Sequence, residues 1–479
     1  MTNVGQAGRL TSNDGVDRLP WAAIGLLTLL ALALRIAAAR GALWLDEAWS
    51  AQFAHEVRTP GAVFFAINHD NNHYLNTLWL QLVGWGAPPI LARALSIACG
   101  TASVIVAGLI GARRGRTQAI ILAALFAISP ILLTYGAEAR GYAPMLLALL
   151  IGIWLVDRDV AGRPLPGAAR ALGYAGAFGM LAHLAMLPGL LALAAWALAA
   201  RLSRREKLPQ AIGGSLRLMR GALLAAMGVV GVMVLAAHAS PDGYRIGSYQ
   251  AFSLEALHSG LETMIAASFG LGFLPGALLL AIAAIALPLV AWRLPVIRDR
   301  ALFLALLLYA LPGAALLLQL GNSGIPRYYL IVALGLLLLM GEVLAAGWTS
   351  GGARRVATVA AIALIAVGSA VQDSRIIANR RANPGGAITA MAARMPHGSE
   401  VMISSSRDSA VLAAAAASAS YSLHIIPEGC PPTRFLFGEQ DDAAAFPDHP
   451  IRCGHAYRKI MSARADGLSG VNWQLYERE

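Results

Sequence analysis

Charge is scarce in this chain. Only 13% of its 479 residues are Asp, Glu, Lys or Arg, against roughly 25% in a soluble globular protein. Hydrophobic residues make up 57%, and the mean hydropathy is +0.62. That balance excludes a soluble globular fold and reads as a polytopic membrane protein. Cysteine is scarce as well, with three residues. Cys99 lies in an apolar run and reads as packing. Cys430 and Cys453 fall in a polar tail, where they could pair if that tail lies outside the cytoplasm. There is no GxxxxGK[ST] phosphate loop and no G-x-S-x-G nucleophile elbow, so those two nucleotide and hydrolase signatures are missing. The net charge of +11 comes mostly from arginine. Its arginines sit in short loops between apolar runs, which is topology information and not a nucleic-acid surface.

What the chain has is long apolar runs. A span needs about 20 such residues. Candidates are 21–40, 91–112, 117–135, 142–157, 170–184, 186–200, 218–238, 271–292, 301–320, 328–347 and 354–371. That gives about eleven spans, the pair at 170–200 being interrupted by Pro188 and Gly189. Residues 21–40 are longer than the h-region of a signal peptide, about 7–15 residues, and are read as the first span.

Arginine sets the orientation. With the N-terminus inside, cytoplasmic loops hold Arg113, Arg114 and Arg116; Arg158, Arg163 and Arg170; Arg201, Arg204, Arg205, Lys207, Arg217 and Arg220; Arg293, Arg298 and Arg300; Arg354 and Arg355. Between the spans, the opposite side holds Arg40, Arg58, Arg93, Arg140, Arg245 and Arg327. The expected organisation is a cytoplasmic segment 1–20, a membrane domain 21–371, and a tail 372–479. In the first outer loop, 41–90, residues 74–86 are apolar but short and read as an interfacial helix, with 48–58 as another. In the tail, GSEVMISSS reads as a strand and SAVLAAAAASASYSL as a helix followed by a strand. This predicts a small extracytoplasmic α/β domain with a loop-rich second half.

On this topology the polar groups of the short loops converge on the outer face. Asp46 and Glu47 follow the first span between Trp44 and Trp49. Asn68-His69-Asp70-Asn71-Asn72-His73-Tyr74 comes next, then Glu138 with Arg140 and Tyr142. Later come His258 with Glu262, and Arg327 with Tyr328 and Tyr329. Carboxylates at the edge of a span are functional-site candidates. Each group also has a plain reading. Asp46 and Glu47 could end a span in water. Glu138 and Arg140 could be a surface pair. Arg327 could be a headgroup anchor. His69 and His73, four apart with Asp70 between them, could hold a divalent metal, bond a substrate or belong to a solvated loop. His258 and Glu262 read more simply as an exposed helix pair.

Glycosyl transfer from a lipid phosphate is one chemistry such a face could perform. It needs a carboxylate to take the acceptor's hydroxyl proton, a cation for the departing phosphate, and a groove for the lipid. Asp46 or Glu47 could be the base and Arg140 or Arg327 the phosphate contact.

The order of these residues resembles a known family. A first span ends in Leu45-Asp46-Glu47; Tyr135-Gly136-Ala137-Glu138-Ala139-Arg140-Gly141-Tyr142 follows; Pro326-Arg327-Tyr328-Tyr329 precedes a late span. This is similar to the GT-C glycosyltransferases, in the family 39-like branch of protein O-mannosyltransferases and lipid A aminoarabinose transferases. The resemblance implies Asp46, Glu47 and Glu138 as catalytic acidic residues. It implies Arg140, Tyr142, Arg327, Tyr328, Asn72 and Tyr74 as substrate or phosphate contacts, and Asp70 with His69 and His73 as ligands of a divalent metal. The Asp70 setting departs from the more usual Pro-rich one. It also implies a polyprenyl-phosphate sugar donor, inversion at the sugar, and a glycan, lipid or protein acceptor. The expected place is the bacterial cytoplasmic membrane, with the active site facing outward, among membrane lipids and without nucleic acid. The alternative is a transporter or flippase of a lipid-linked sugar, which should carry ionisable groups at mid-span. Only Arg35 and Glu342 come near that description.

Overall fold

The computed structural model describes residues 20–247, 249–294, 300–405, 407–440 and 446–479. The expected cytoplasmic segment up to residue 19, and Arg298, lie outside the described residues.

All eleven apolar runs are helical. Among the described residues, six helices are long and apolar enough to cross a membrane, or seven if a bent pair counts as one span. The bend is 59° between Arg116–Ile128 and Pro130–Gly136. Pro130 has no N–H to continue the helical ladder, and Ser129 at the break donates instead to the Ser268 carbonyl at 2.8 Å. Two apolar helices, Gly276–Trp292 and Ala301–Leu317, are shorter than a full span. The chain is a multi-pass membrane protein.

The segment Pro326–Ser350 is the centre of the bundle, with 78% of its most apolar window buried. Its run of leucines is apolar on every side, as a helix surrounded by other helices must be. Other helices are longer than a span of about 20 residues needs. The run expected over 218–238 is part of one helix, Leu208–Ala239, and the last span continues to Asn379. The two short helices expected at 48–58 and 74–86 are present as Leu45–Glu56 and Tyr74–Val83.

At the ends of the helices away from Asp46, buried charges are paired. Asp157 meets Arg113 at 2.7 Å and also Arg300. Glu342 meets Arg114, and Arg300 at 3.4 Å. This accounts for the one acidic residue expected inside a late span.

The tail carries a mixed six-stranded sheet in the order β2-β1-β3-β6-β5-β4. Its strands are β1 (Ser399–Ile403), β2 (Leu423–Ile426), β3 (Phe435–Gln440), β4 (Ile451–Arg452), β5 (His455–Ala463) and β6 (Asn472–Arg478). Strand β1 runs parallel to β2 and β3; the other pairs are antiparallel. The helix Arg407–Ser418 joins β1 to β2. Cys430 and Cys453 form a disulfide. The sheet's core is continuous with Trp44, Leu45 and Ala48 of the first loop, so the tail packs directly over the Asp46 segment.

Candidate active site

Asp46 and Glu47 open the helix Leu45–Glu56. Acidic residues suit that position, because the first turn exposes unpaired N–H groups. The two carboxylates then part company. Glu47 turns inward and is fully buried. It takes Arg93 Nε at 2.8 Å and Nη2 at 2.5 Å, the Ala139 N–H at 2.7 Å, and the Trp44 N–H at 3.2 Å. Burial alone would raise its pKa. Arg93's charge and hydrogen bonds, then Arg381 and the Ala139 N–H, hold it below the usual carboxylate range. Asp46 keeps 12% of its side chain exposed. Of the pair, only Asp46 can be reached by a substrate.

Asp46 Oδ2 lies 2.9 Å from Arg140 Nη1 and 3.0 Å from Arg327 Nη1. Three separate loops therefore meet at one carboxylate. Asn71 ties in a fourth piece of chain. Its amide donates to the Asp46 carbonyl at 2.7 Å and to Ser50 Oγ at 3.0 Å, and its oxygen accepts from Arg140. Arg140 also leans over the Tyr142 ring, and Arg327 lies near the rings of Trp44 and Tyr328. These flat apolar faces leave the guanidinium groups poorly hydrated and ready for an anion.

The turn holding Arg140 depends on Gly141. A Cβ there would overlap the Ala182 carbonyl oxygen. The Gly141 N–H donates to His73 Nδ1 at 3.0 Å.

Glu138 does not join this cluster. It is buried, with Arg381 Nε 3.5 Å from Oε1. Burial raises its pKa; Arg381 opposes that and the nearby Glu47 charge adds to it. Arg381 also donates to the carbonyls of Ala38 (2.8 Å), Thr134 (3.0 Å) and Ala137 (2.9 Å). It belongs to a left-handed run of four non-glycine residues, Arg380, Arg381, Ala382 and Asn383. Such backbone is costly and persists only where its surroundings enforce it. Here Asn383 Oδ1 accepts the Ala42 N–H at 2.9 Å, and the Ala382 carbonyl accepts Trp473 Nε1 at 2.7 Å.

The expected metal ligands line one recess but do not converge on a common point. His69 Nδ1 is 2.8 Å from Asp70 Oδ1, while His73 faces Gly141, Tyr142 and His183. Among the described residues, no three His, Cys, Asp or Glu side chains form a metal-holding group. The donor set does not fit a bound divalent ion. Asn72 braces its own loop in place of the expected substrate contact. Its amide donates to Val63 and Ile67 and accepts from Thr77. Tyr74 packs its ring on Phe64. His258 and Glu262 form an exposed pair at 3.4 Å. Arg93, Arg381 and His183 carry structure that sequence reasoning did not assign.

Two solved structures share this architecture. ArnT from Cupriavidus metallidurans bound to undecaprenyl phosphate superposes with a TM-score of 0.56 at 12% identity, over 95% of this chain and 98% of that one. The apo form of the same protein gives 0.55 at 12% identity, over 94% and 97%. No family model matches the sequence, and no curated protein matches it. The likeness shows the GT-C-like fold expected from the loop motifs.

Proposed function

We propose that this protein is a membrane glycosyltransferase that moves a sugar from a polyprenyl-phosphate donor to an acceptor hydroxyl. The observation that carries this reading is Asp46, the reachable carboxylate of the Asp46–Glu47 pair, held between Arg140 and Arg327. It sits in a fold shared with a protein whose structure holds undecaprenyl phosphate.

The geometry supports an exchange of partners. Without substrate, the two guanidinium groups neutralise Asp46. A donor phosphate would draw both arginines, because arginine matches phosphate oxygens well. Asp46 would then be released from its cations to face the acceptor hydroxyl. The acceptor hydroxyl gives its proton to Asp46, and its oxygen bonds to the anomeric carbon. The bond from that carbon to the phosphate oxygen breaks. The electron pair leaves on polyprenyl phosphate, which Arg140 and Arg327 hold. A single displacement of this kind inverts the sugar centre.

Glu47 serves through Arg93, fixing the helix start from which Asp46 projects. Glu138 serves through Arg381, fixing the turn that presents Arg140. Tyr142 and Tyr328 flank the arginines. We place the site and tail on the outer face of a bacterial cytoplasmic membrane. Arginine asymmetry supports this, and so does the Cys430–Cys453 disulfide, since such bonds persist in oxidising compartments. No observation favours the transporter alternative. Arg35 donates through Nη1 and Nη2 to the Ala31 and Phe126 carbonyls, and Glu342 is paired at the other end of the bundle.

The test is incubation of the purified protein with a panel of polyprenyl-phosphate sugars and membrane extract, followed by mass spectrometry. A glycosylated product with release of polyprenyl phosphate supports the reading. No product from any donor opposes it.

A further inference from the structure

Beside the Asp46 cluster lies a recess of about 50 Å³ lined by His69, Asp70, His73, Tyr74, His183 and Tyr244, among other residues. One water needs about 10–15 Å³ by that measure. The recess therefore has room for a few heavy atoms, such as one edge of a sugar, and not for a whole ring.

Its two inner histidines are alike in an unusual way. His73 Nδ1 accepts the Gly141 N–H at 3.0 Å, and His183 Nδ1 accepts the Ala185 N–H at 3.0 Å. Their rings lie 4.5 Å apart, and His183 also packs on Tyr142. A neutral imidazole that accepts through Nδ1 carries its proton on Nε2. Because each Nδ1 accepts a backbone N–H, it carries no proton, and each ring has its donor at Nε2. Among the described residues neither Nε2 has a protein partner. Two N–H donors on the wall of one recess are thus left for a ligand. The same loop that walls the recess supplies Asn71, which touches both Asp46 and Arg140.

We propose that this recess binds a hydroxyl or hydroxymethyl edge of the donor's sugar, with the Nε2–H groups of His73 and His183 donating to its oxygens. This inference rests on the transferase reading and adds the sugar subsite to it. The class of group follows from the donors. An ammonium has only protons to give, and would meet two N–H groups. Asp70 Oδ1, on the same wall, contacts His69 and takes the Gly247 N–H, and a hydroxyl that accepts from an Nε2–H still has a proton to give to a neighbouring carboxylate oxygen. The two N–H donors therefore match a hydroxyl-bearing edge of a sugar.

Binding to the full-length protein in nanodiscs tests this, with undecaprenyl phosphate and undecaprenyl phosphate bearing a neutral hexose as probes. The unaltered protein should bind the hexose form more tightly. His183→Asn keeps an acceptor for the Ala185 N–H but lacks the reach of the Nε2 donor. It should lose about 3- to 10-fold of the hexose advantage, the span of one neutral hydrogen bond, and bind bare undecaprenyl phosphate as before. His183→Gln, which can still reach with an N–H, should keep most of that advantage. An undiminished hexose advantage in His183→Asn, or an equal loss on both lipids, would overturn the subsite while leaving the transferase reading intact. Failure of the unaltered protein to bind undecaprenyl phosphate at all would overturn both.

Discussion

Asp46 Oδ2 lies 3.0 Å from Arg327 Nη1, although one residue follows the first span and the other precedes a late one. That contact closes the candidate site. It joins the loop after the first span to the turn before Leu330–Ser350, and Arg140 completes the clamp from a third direction. The two arginines exceed the charge of Asp46 by one, so the cluster is short of one negative charge, which a lipid phosphate supplies.

Arg327→Ala should therefore weaken undecaprenyl phosphate binding. A hydrogen bond to a charged group is worth about 1.5–3 kcal/mol, which is roughly 10- to 100-fold in affinity. Arg327→Lys should recover part of the loss, because it keeps the charge and loses the planar fork. Titration of nanodisc-embedded variants with the lipid checks this. Unchanged affinity in Arg327→Ala would place the phosphate elsewhere.

Glu47 and Arg93 should matter to stability before they matter to chemistry. Breaking a fully buried ion pair costs about 3–5 kcal/mol, so Glu47→Gln should lower the apparent unfolding temperature markedly. The pH dependence has a definite sign. The Glu47 pKa is lowered from 4.5 in the folded chain, so its stabilisation is fully present above that value. It is lost as pH falls below 4.5 through the folded value. Thermal scans from pH 7 downward should show a shallower acid loss in Glu47→Gln than in the unaltered protein.

Arg381 ties the tail to the catalytic face through three carbonyls and Glu138. Arg381→Ala should lower both unfolding temperature and transfer, and removal of the tail from residue 380 onward should abolish transfer. Adding Glu138→Gln to Arg381→Ala should restore part of the stability, because it removes a buried carboxylate that has lost its cation. A double-mutant cycle in unfolding temperature measures that coupling. Strictly additive effects would argue that the two residues act independently.

Chelation bears on the divergence of His69, Asp70 and His73. With the phosphate charge assigned to Arg140 and Arg327, transfer should survive exhaustive treatment with EDTA. Loss of transfer on chelation, with recovery on adding a divalent ion, would require these ligands to rearrange around a metal.

The sequence made much of this visible, for identifiable reasons. Apolar runs report helices directly, and arginine asymmetry put Asp46, Arg140 and Arg327 on one face before their contacts were known. Asp46 could not be separated from Glu47, because two adjacent carboxylates look alike until one is seen to close on Arg93. Arg93 and Arg381 looked ordinary because much of what they bond is backbone carbonyl, and a carbonyl carries no residue signature. The left-handed run at Arg380–Asn383 contains no glycine and so gave no local sign of its conformation. His183 sat inside an apolar run, where its capping of the Ala185 N–H could not be read. The helix ends were misjudged where Leu208–Ala239 and Gly352–Asn379 carry on past the apolar stretch.

The most direct measurement is single-turnover transfer by Asp46→Asn with an accepted polyprenyl-phosphate sugar. The substitution is nearly isosteric and leaves the Glu47–Arg93 pair in place. Transfer should fall by about 100-fold or more, the lower range for a general base, while the unfolding temperature and lipid-phosphate binding stay close to those of the unaltered protein. Transfer at the unaltered rate in a folded Asp46→Asn protein would contradict the assignment of Asp46 as the base.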